Sequence, residues 1–345
     1  WGSRVCARLA SEPGLDVLGL DLKPPAKEIE SVSFIQADLR NPAIGELIRE
    51  EGVDTLCHLA FVDSTRRSEA AFDVNVMGTI RIMGLCAEAQ VGNVVFKSST
   101  AVYGARRRNP AFLNEDWPLR GSRRYGYTRD LLEIEAFLNG FRRQAPGVKL
   151  TILRFPSIVG PTADTPMTRF LRVPWTPSLL GFDPLMQLIH EEDVVEALAH
   201  AVLHDVPGVY NVAAEDVLPL NKVRGLAGKP PLPVFHPFAY WGVAILGSTG
   251  LRITRHVPIE LDYLRYQWVA DLSSMRDELE YTPRYTAEET LREFAEHFRL
   301  RRFLPESEVL ARGEQQLRDV VERRRRERER QAVAASRSEE GGLNE

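Results

Sequence analysis

The chain has 345 residues, 44% of them hydrophobic, and carries a net charge of −4 at neutral pH. That length suits one large domain, or a domain with a subdomain, and that apolar content can bury a substantial core. The mild acidic balance excludes bulk nucleic-acid binding, which needs a basic face to neutralise phosphate.

The opening WGSRVCARLASEPGLDVLGLD reads as an amphipathic helix over residues 3–12 leading into a strand that ends at Asp21. In a dinucleotide-binding fold such a helix follows a glycine-rich turn, whose third glycine lets helix and strand pack closely. Gly2 takes that place, so a strand and two earlier glycines are expected to precede residue 1. Further β-rich runs follow: SFIQAD (33–38), DTLCHLAF (54–61), NVVFKSS (93–99) and KLTILRF (149–155). Helical patterns separate them, notably over 64–90 and 127–143. Near-continuous apolar strands alternating with helices imply a parallel sheet covered on both faces, an α/β doubly wound (Rossmann) fold. Beyond residue 160 Pro-rich loops loosen the pattern, and a helix over 193–204 returns to it. A smaller, interleaved, substrate-facing subdomain over about 160–300 is expected there, after a mainly cofactor-binding part over 1–160.

Asp21 ends the second expected strand. A carboxylate there accepts hydrogen bonds from ribose hydroxyls and repels a 2′-phosphate, favouring NAD over NADP. An Asp at a strand end also serves as a plain turn residue, and Lys23 is a mild counter-signal. Asp38 and Leu39 of ADLRNP are placed to flank an adenine. Leu59, Ala60 and Phe61 lie at a strand's carboxyl edge, where ligands of open parallel sheets bind.

Cys6, Cys57 and Cys86 lack C-x-x-C spacing and read as reduced thiols of a cytoplasmic protein; no metal site is expected. No signal segment is evident, and no uninterrupted apolar run reaches the ~18 residues of a membrane span. FAYWGVAILGSTGL (238–251) reads instead as a packed helix of the substrate-covering region. From about 305 a polar helical tail follows, and its ERRRRERER (322–330) reads as a solvated mixed-charge run.

In order along the chain, ADLRNP, DTLCHLAF, NVMGT (75–79), KSSTAVYG (97–104), LRFPSIVGP (153–161) and LIHEEDVVEAL (188–198) resemble the extended short-chain dehydrogenase/reductase family, NAD-dependent epimerase/dehydratase branch. The likeness covers roughly residues 1–300. The stretch 170–198 is most similar to actinobacterial UDP-glucose 4-epimerase-like members. The resemblance implies NAD as cofactor, a nucleotide-sugar substrate such as a UDP-hexose, and a soluble protein that forms homodimers. It implies further that Ser99 takes the hydroxyl role beside a catalytic tyrosine, that Asn75 lies beneath the site, and that Ser98 and Pro156 border the cofactor.

The family's tyrosine is followed four residues on by a lysine, one helical turn along the same face. That lysine holds the nicotinamide ribose, and its charge favours tyrosinate. RRYGYTRDLLEIEAF (123–137) contains no lysine. Two registers stand open: Tyr125 with Arg129, which keeps a positive charge, and Tyr127 with Leu131, which supplies neither charge nor donor. Helix length counted back from KLTILRF favours Tyr127, and Leu131 also fits an apolar stripe with Ile134, Leu138 and Phe141. Arg106, Arg107, Arg108, Arg120, Arg123 and Arg124 crowd the same region, either as diphosphate contacts or as solvated surface. An NAD-dependent epimerase or dehydratase is the first expectation. A non-catalytic NAD-binding sensor or scaffold is the second, and a reductase of a non-nucleotide carbonyl the third.

Overall fold

The structure is a computed structural model that describes residues 1–64, 66–235 and 260–303; the stretch 238–251 and the tail run 322–330 lie outside them. Helix α1 (Gly2–Ala10) leads to strand β1 (Val17–Asp21), which pairs in parallel with β2 (Val32–Gln36). A second parallel sheet follows the order β3-β4-β5-β9, from Thr55–His58, Asn93–Ser99, Lys149–Phe155 and Gly208–Asn211. Val17 of β1 and Cys57 of β3 pack into one core. Among the described residues, however, β1 pairs only with β2 and β3 only with β4.

Side chains alternate along β4 and divide the core in two. Val95 faces α1 and α7 (Glu191–His204), joining Val5, Leu9, Val194 and Leu198. Val94 and Phe96 face α4 (Gly78–Glu88) and α5 (Gly126–Gln144), joining Met83, Leu131, Ile134 and Leu138. Each such fully buried side chain contributes about 1.5–3 kcal/mol of hydrophobic free energy. Helices on both faces of a parallel sheet give the doubly wound α/β class that the strand spacing predicts.

The helix expected over 64–90 is broken into a short α3 (Glu69–Phe72), a π-helical turn (Asp73–Met77) and α4. Ser68 caps α3 by accepting the Ala71 N–H. The run Glu69–Glu88 has the length and mean hydropathy of a membrane span, yet it carries Asp73 and Arg81 and contributes Met83 and Cys86 to the core. Past residue 155, apart from β9, smaller sheets take over: β6 (Ser157–Val159), β8 (Leu185–His190) and β10 (Val217–Pro219) form one, and β7 (Thr176–Leu179) with β11 (Pro231–Val234) another. The chain divides into a unit Trp1–Ala295 and a unit Glu296–Glu345.

Candidate active site

A cavity opens at the carboxyl ends of β3, β4 and β5, bordered by Leu59, Ala60, Phe61, Ser99, Tyr127, Leu131 and Pro156. Its shape depends on the loop that leaves β3. Asn75, on the π-helical turn, accepts the Val62 N–H at 2.7 Å and donates to the Val62 carbonyl at 3.0 Å. Such turns insert one extra residue into a helix and often re-aim a side chain; here the re-aimed side chain clamps a loop. Further along, the Tyr127 N–H donates to the Ser64 carbonyl at 2.8 Å. Gly126 makes that approach possible, since a Cβ there would lie 2.4 Å from the Arg66 carbonyl oxygen. Tyr127 thus enters the first turn of α5 with its ring edge-on to Phe61, centroids 5.3 Å apart.

Ser99 ends β4 and accepts the Ala101 N–H through its side chain. Its hydroxyl also adjoins that of Tyr127. Burial pushes the Tyr127 hydroxyl up to about 12; the Ser99 hydroxyl opposes that shift and the Asp63 carboxylate adds to it. Leu131, one turn along α5, is 2% exposed and lies between the cavity and the apolar core. Tyr125 borders the cavity too, but further out, where burial and then Glu260 and Asp262 push it up to about 12.

Arg129 points elsewhere. Its Nε donates to Asp130 at 2.8 Å, Nη2 to the Ser68 carbonyl at 3.3 Å, and its guanidinium lies over the Phe72 ring at 4.8 Å. Ser98, one residue before Ser99, faces the other side of the sheet and donates to the buried Glu135 at 2.5 Å. Asp38 is held by Arg40 through paired contacts of 2.9 and 2.6 Å, and Arg40 reaches on to Asp73. That pairing holds the half-buried Asp38 carboxyl at about 2. Leu39 packs against Gly78, where a Cβ would lie 2.4 Å from it. Asp21 is exposed at the end of β1 and accepts the Lys23 N–H at 3.1 Å. Of the six loop arginines none borders the cavity; Arg106 bonds the Arg120 carbonyl, and Arg123 pairs with Glu133.

Four charged residues of the cavity, Asp63, Asp164, Glu260 and Lys97, were not singled out from the sequence. Asp63 lies on the clamped loop and pairs with Arg169 at 3.1 Å. Glu260 accepts the Thr128 hydroxyl at 3.3 Å, and burial pushes its carboxyl up to about 8. Lys97, on the same β4 face as Ser99, is held down at about 8 by burial, against the pull of Asp63. The available signal for Lys97 was its position, a lysine two residues before the strand-end serine on an otherwise apolar and hydroxyl-bearing strand.

Fold and cavity together place the chain among the Rossmann-type nucleotide-binding proteins, with a serine–tyrosine pair at the sheet edge. Comparison with known sequences narrows that class: the chain belongs to the NAD dependent epimerase/dehydratase family, whose sequence model matches residues 1–213. An uncharacterized protein of Mycobacterium tuberculosis is 34% identical over 88% of this chain and 82% of its own length. The UDP-glucose 4-epimerase of Lactobacillus helveticus is 30% identical over 47% of this chain, a match spanning 50% of that enzyme. Among solved structures, MoeE5 in complex with UDP-glucuronic acid and NAD gives a TM-score of 0.66 at 22% identity, covering 88% of this chain and 97% of its own. The UDP-glucose 4-epimerase of Thermotoga maritima, with UDP-glucose, gives 0.64 at 20%, covering 86% and 95%. These structural matches share the fold.

Proposed function

We propose that the protein binds NAD and transfers hydride at a hydroxyl-bearing carbon of a nucleotide sugar, in the manner of a UDP-hexose 4-epimerase. The observation that carries this reading is that Ser99 and Tyr127 border one cavity at the sheet's carboxyl edge, with Phe61 and Pro156 beside them. The family assignment supports it, as do structural matches solved with NAD and UDP-sugars.

The donor set suits a dinucleotide. Helix α1 begins without a side-chain cap, a Cβ at Gly2 would meet nothing within 4 Å, and Asp21 is exposed at the neighbouring strand end. An uncapped helix N-terminus attracts phosphate, and a carboxylate at that strand end selects a ribose that bears no 2′-phosphate. NAD, when bound, accepts the hydride. Tyr127 takes the proton of the sugar hydroxyl, and Ser99 shares that hydrogen bond and fixes the hydroxyl's direction. Phe61 and Leu131 keep water from the reacting edge.

A non-catalytic NAD-binding role is the second reading, and a specific observation favours it. Tyr127 is pushed up to about 12, and the residue one turn along α5 is a leucine. A phenol with so high a pKa is a poor base at neutral pH. The deciding experiment is calorimetric titration with NAD and NADP, followed by a screen of nucleotide sugars with cofactor retained. Tighter NAD binding plus turnover of a UDP-hexose supports the first reading. NAD binding with no turnover supports the second, and absence of NAD binding removes both.

A further inference from the structure

The tyrosine's helix offers no cation to the cavity, but the strand beside it does. Lys97 and Ser99 lie on one face of β4, two residues apart, and both border the cavity. The other charged residues bordering it, Asp63, Asp164 and Glu260, are acidic in kind. Asp63 and Asp164 are already paired with Arg169. Among the described residues Lys97 makes no hydrogen bond and no ion pair within 4 Å; its Nζ lies 5.6 Å from the centre of the Trp1 ring. Trp1 is the residue from which α1 starts. The ammonium therefore lies between the start of α1 and the Ser99–Tyr127 pair. Removing a lysine from water without an anionic partner is costly, so such a residue is suited to a ligand that brings its own negative charge.

We infer that Lys97 is the cationic contact of this cavity for the diphosphate of the bound dinucleotide, an ammonium carried by β4 in a site whose α5 presents Leu131. The inference rests on the NAD-binding reading. It assigns the contact to the phosphates because a compact, strongly hydrated ammonium gains most from a localised anion. Facing Lys97 are Asp63 from the β3 loop, Asp164 from the loop before α6 (Pro166–Arg172) and Tyr127 from α5. Asp63 favours the charged amine. With Lys97 held at about 8, it is charged below that pH and neutral above.

The test is binding, not turnover. Calorimetric titrations with NAD, ADP-ribose, ADP and adenosine are run on the wild-type protein, Lys97→Met and Lys97→Arg from pH 6.5 to 9.5, with folding checked by circular dichroism. A lost charge-assisted hydrogen bond corresponds to a roughly 10- to 100-fold weaker complex. Lys97→Met is expected to weaken NAD, ADP-ribose and ADP by that factor and to leave adenosine unchanged. Wild-type affinity for NAD falls as pH rises through about 8, whereas Lys97→Arg keeps its affinity across the range and Lys97→Met is flat and weak. Equal NAD affinity in wild type and Lys97→Met overturns the inference while leaving NAD binding intact. Weakening of NAD and ADP-ribose but not ADP overturns the phosphate contact in favour of a ribose one. A wild-type protein that binds no NAD at pH 7 refutes the reading beneath it instead. Should Lys97→Met unfold, Lys97→Arg and the wild-type pH profile still decide the matter.

Discussion

Two buried glutamates bear on α5, one within it and one hydrogen-bonded to it, and they are treated in opposite ways. Glu135 is fully buried and receives three contacts from Arg154, between 2.5 and 3.1 Å, plus the Ser98 hydroxyl. Arg154 passes the network on to Tyr103 at 2.7 Å, and Tyr103 donates to Asn211 at 2.8 Å. The Glu260 carboxyl, across the cavity, has a single hydrogen bond among the described residues, from Thr128. A saturated buried network fixes a fold, whereas an under-partnered one marks a place where a ligand's groups belong. Neighbouring residues of β4 divide along the same line: Ser98 serves the network and Ser99 the cavity.

Removing half of the saturated pair should give the largest effect. Arg154→Met leaves Glu135 charged and buried, and breaking such a pair costs about 3–5 kcal/mol. Urea denaturation should show that loss, while Ser99→Ala should change stability by under about 1 kcal/mol. Similar losses in both variants would erase the distinction between the two faces.

The under-partnered glutamate should reveal itself through pH. Its folded carboxyl titrates near 8, above the usual 4.5, so the folded state binds more protons between those values. Its contribution to stability is full below about 4.5 and is lost as pH rises through about 8, an effect on the order of a few kcal/mol. Glu260→Gln should remove that decline from the stability–pH curve. An unchanged curve in the variant would mean that Glu260 is solvated or otherwise paired.

How much of this division can be read from the chain depends on which contacts set it. Strand and helix positions follow from apolar spacing, and β4 and β5 coincide with the runs NVVFKSS and KLTILRF. The opposite facing of Ser98 and Ser99 follows from strand periodicity alone. The fate of Arg129 does not, because Asp130, Ser68 and Phe72 capture it through tertiary packing. Asp38 is likewise taken up by Arg40 and, beyond it, Asp73. Lys97 shows locally only as a lysine on a largely apolar strand; Trp1 and the β3 loop join it at the cavity through tertiary packing.

Within the cavity, Tyr127→Phe should cut turnover at least about 100-fold, the span of general acid–base catalysis. NAD affinity and melting temperature should stay near wild type, because the lost hydroxyl belongs to the cavity and not to the buried network. Tyr125→Phe should matter far less. The reverse order of the two variants would move the catalytic role to Tyr125.

The smallest expected change is a gain, and it asks whether the cavity lacks only a charge beside its tyrosine. Leu131→Lys places an ammonium one helical turn from the Tyr127 hydroxyl, where it stabilises the ionised phenol. Tyr127 starts from about 12, so tyrosinate is scarce at pH 7. Each unit of depression corresponds to ~1.4 kcal/mol and raises the tyrosinate fraction about tenfold. The new side chain also replaces a 2%-exposed leucine, so the melting temperature should fall even as turnover of a UDP-hexose rises. Ultraviolet titration of the phenol near 295 nm separates the two consequences, since only the electrostatic one moves its midpoint. A midpoint that falls together with a rate that rises, both abolished by adding Tyr127→Phe, identifies Tyr127 as the residue whose ionisation limits the reaction. A midpoint that falls while the rate stays at zero leaves the protein an NAD binder, because the tyrosine would then have been supplied with what it lacked and still done no chemistry.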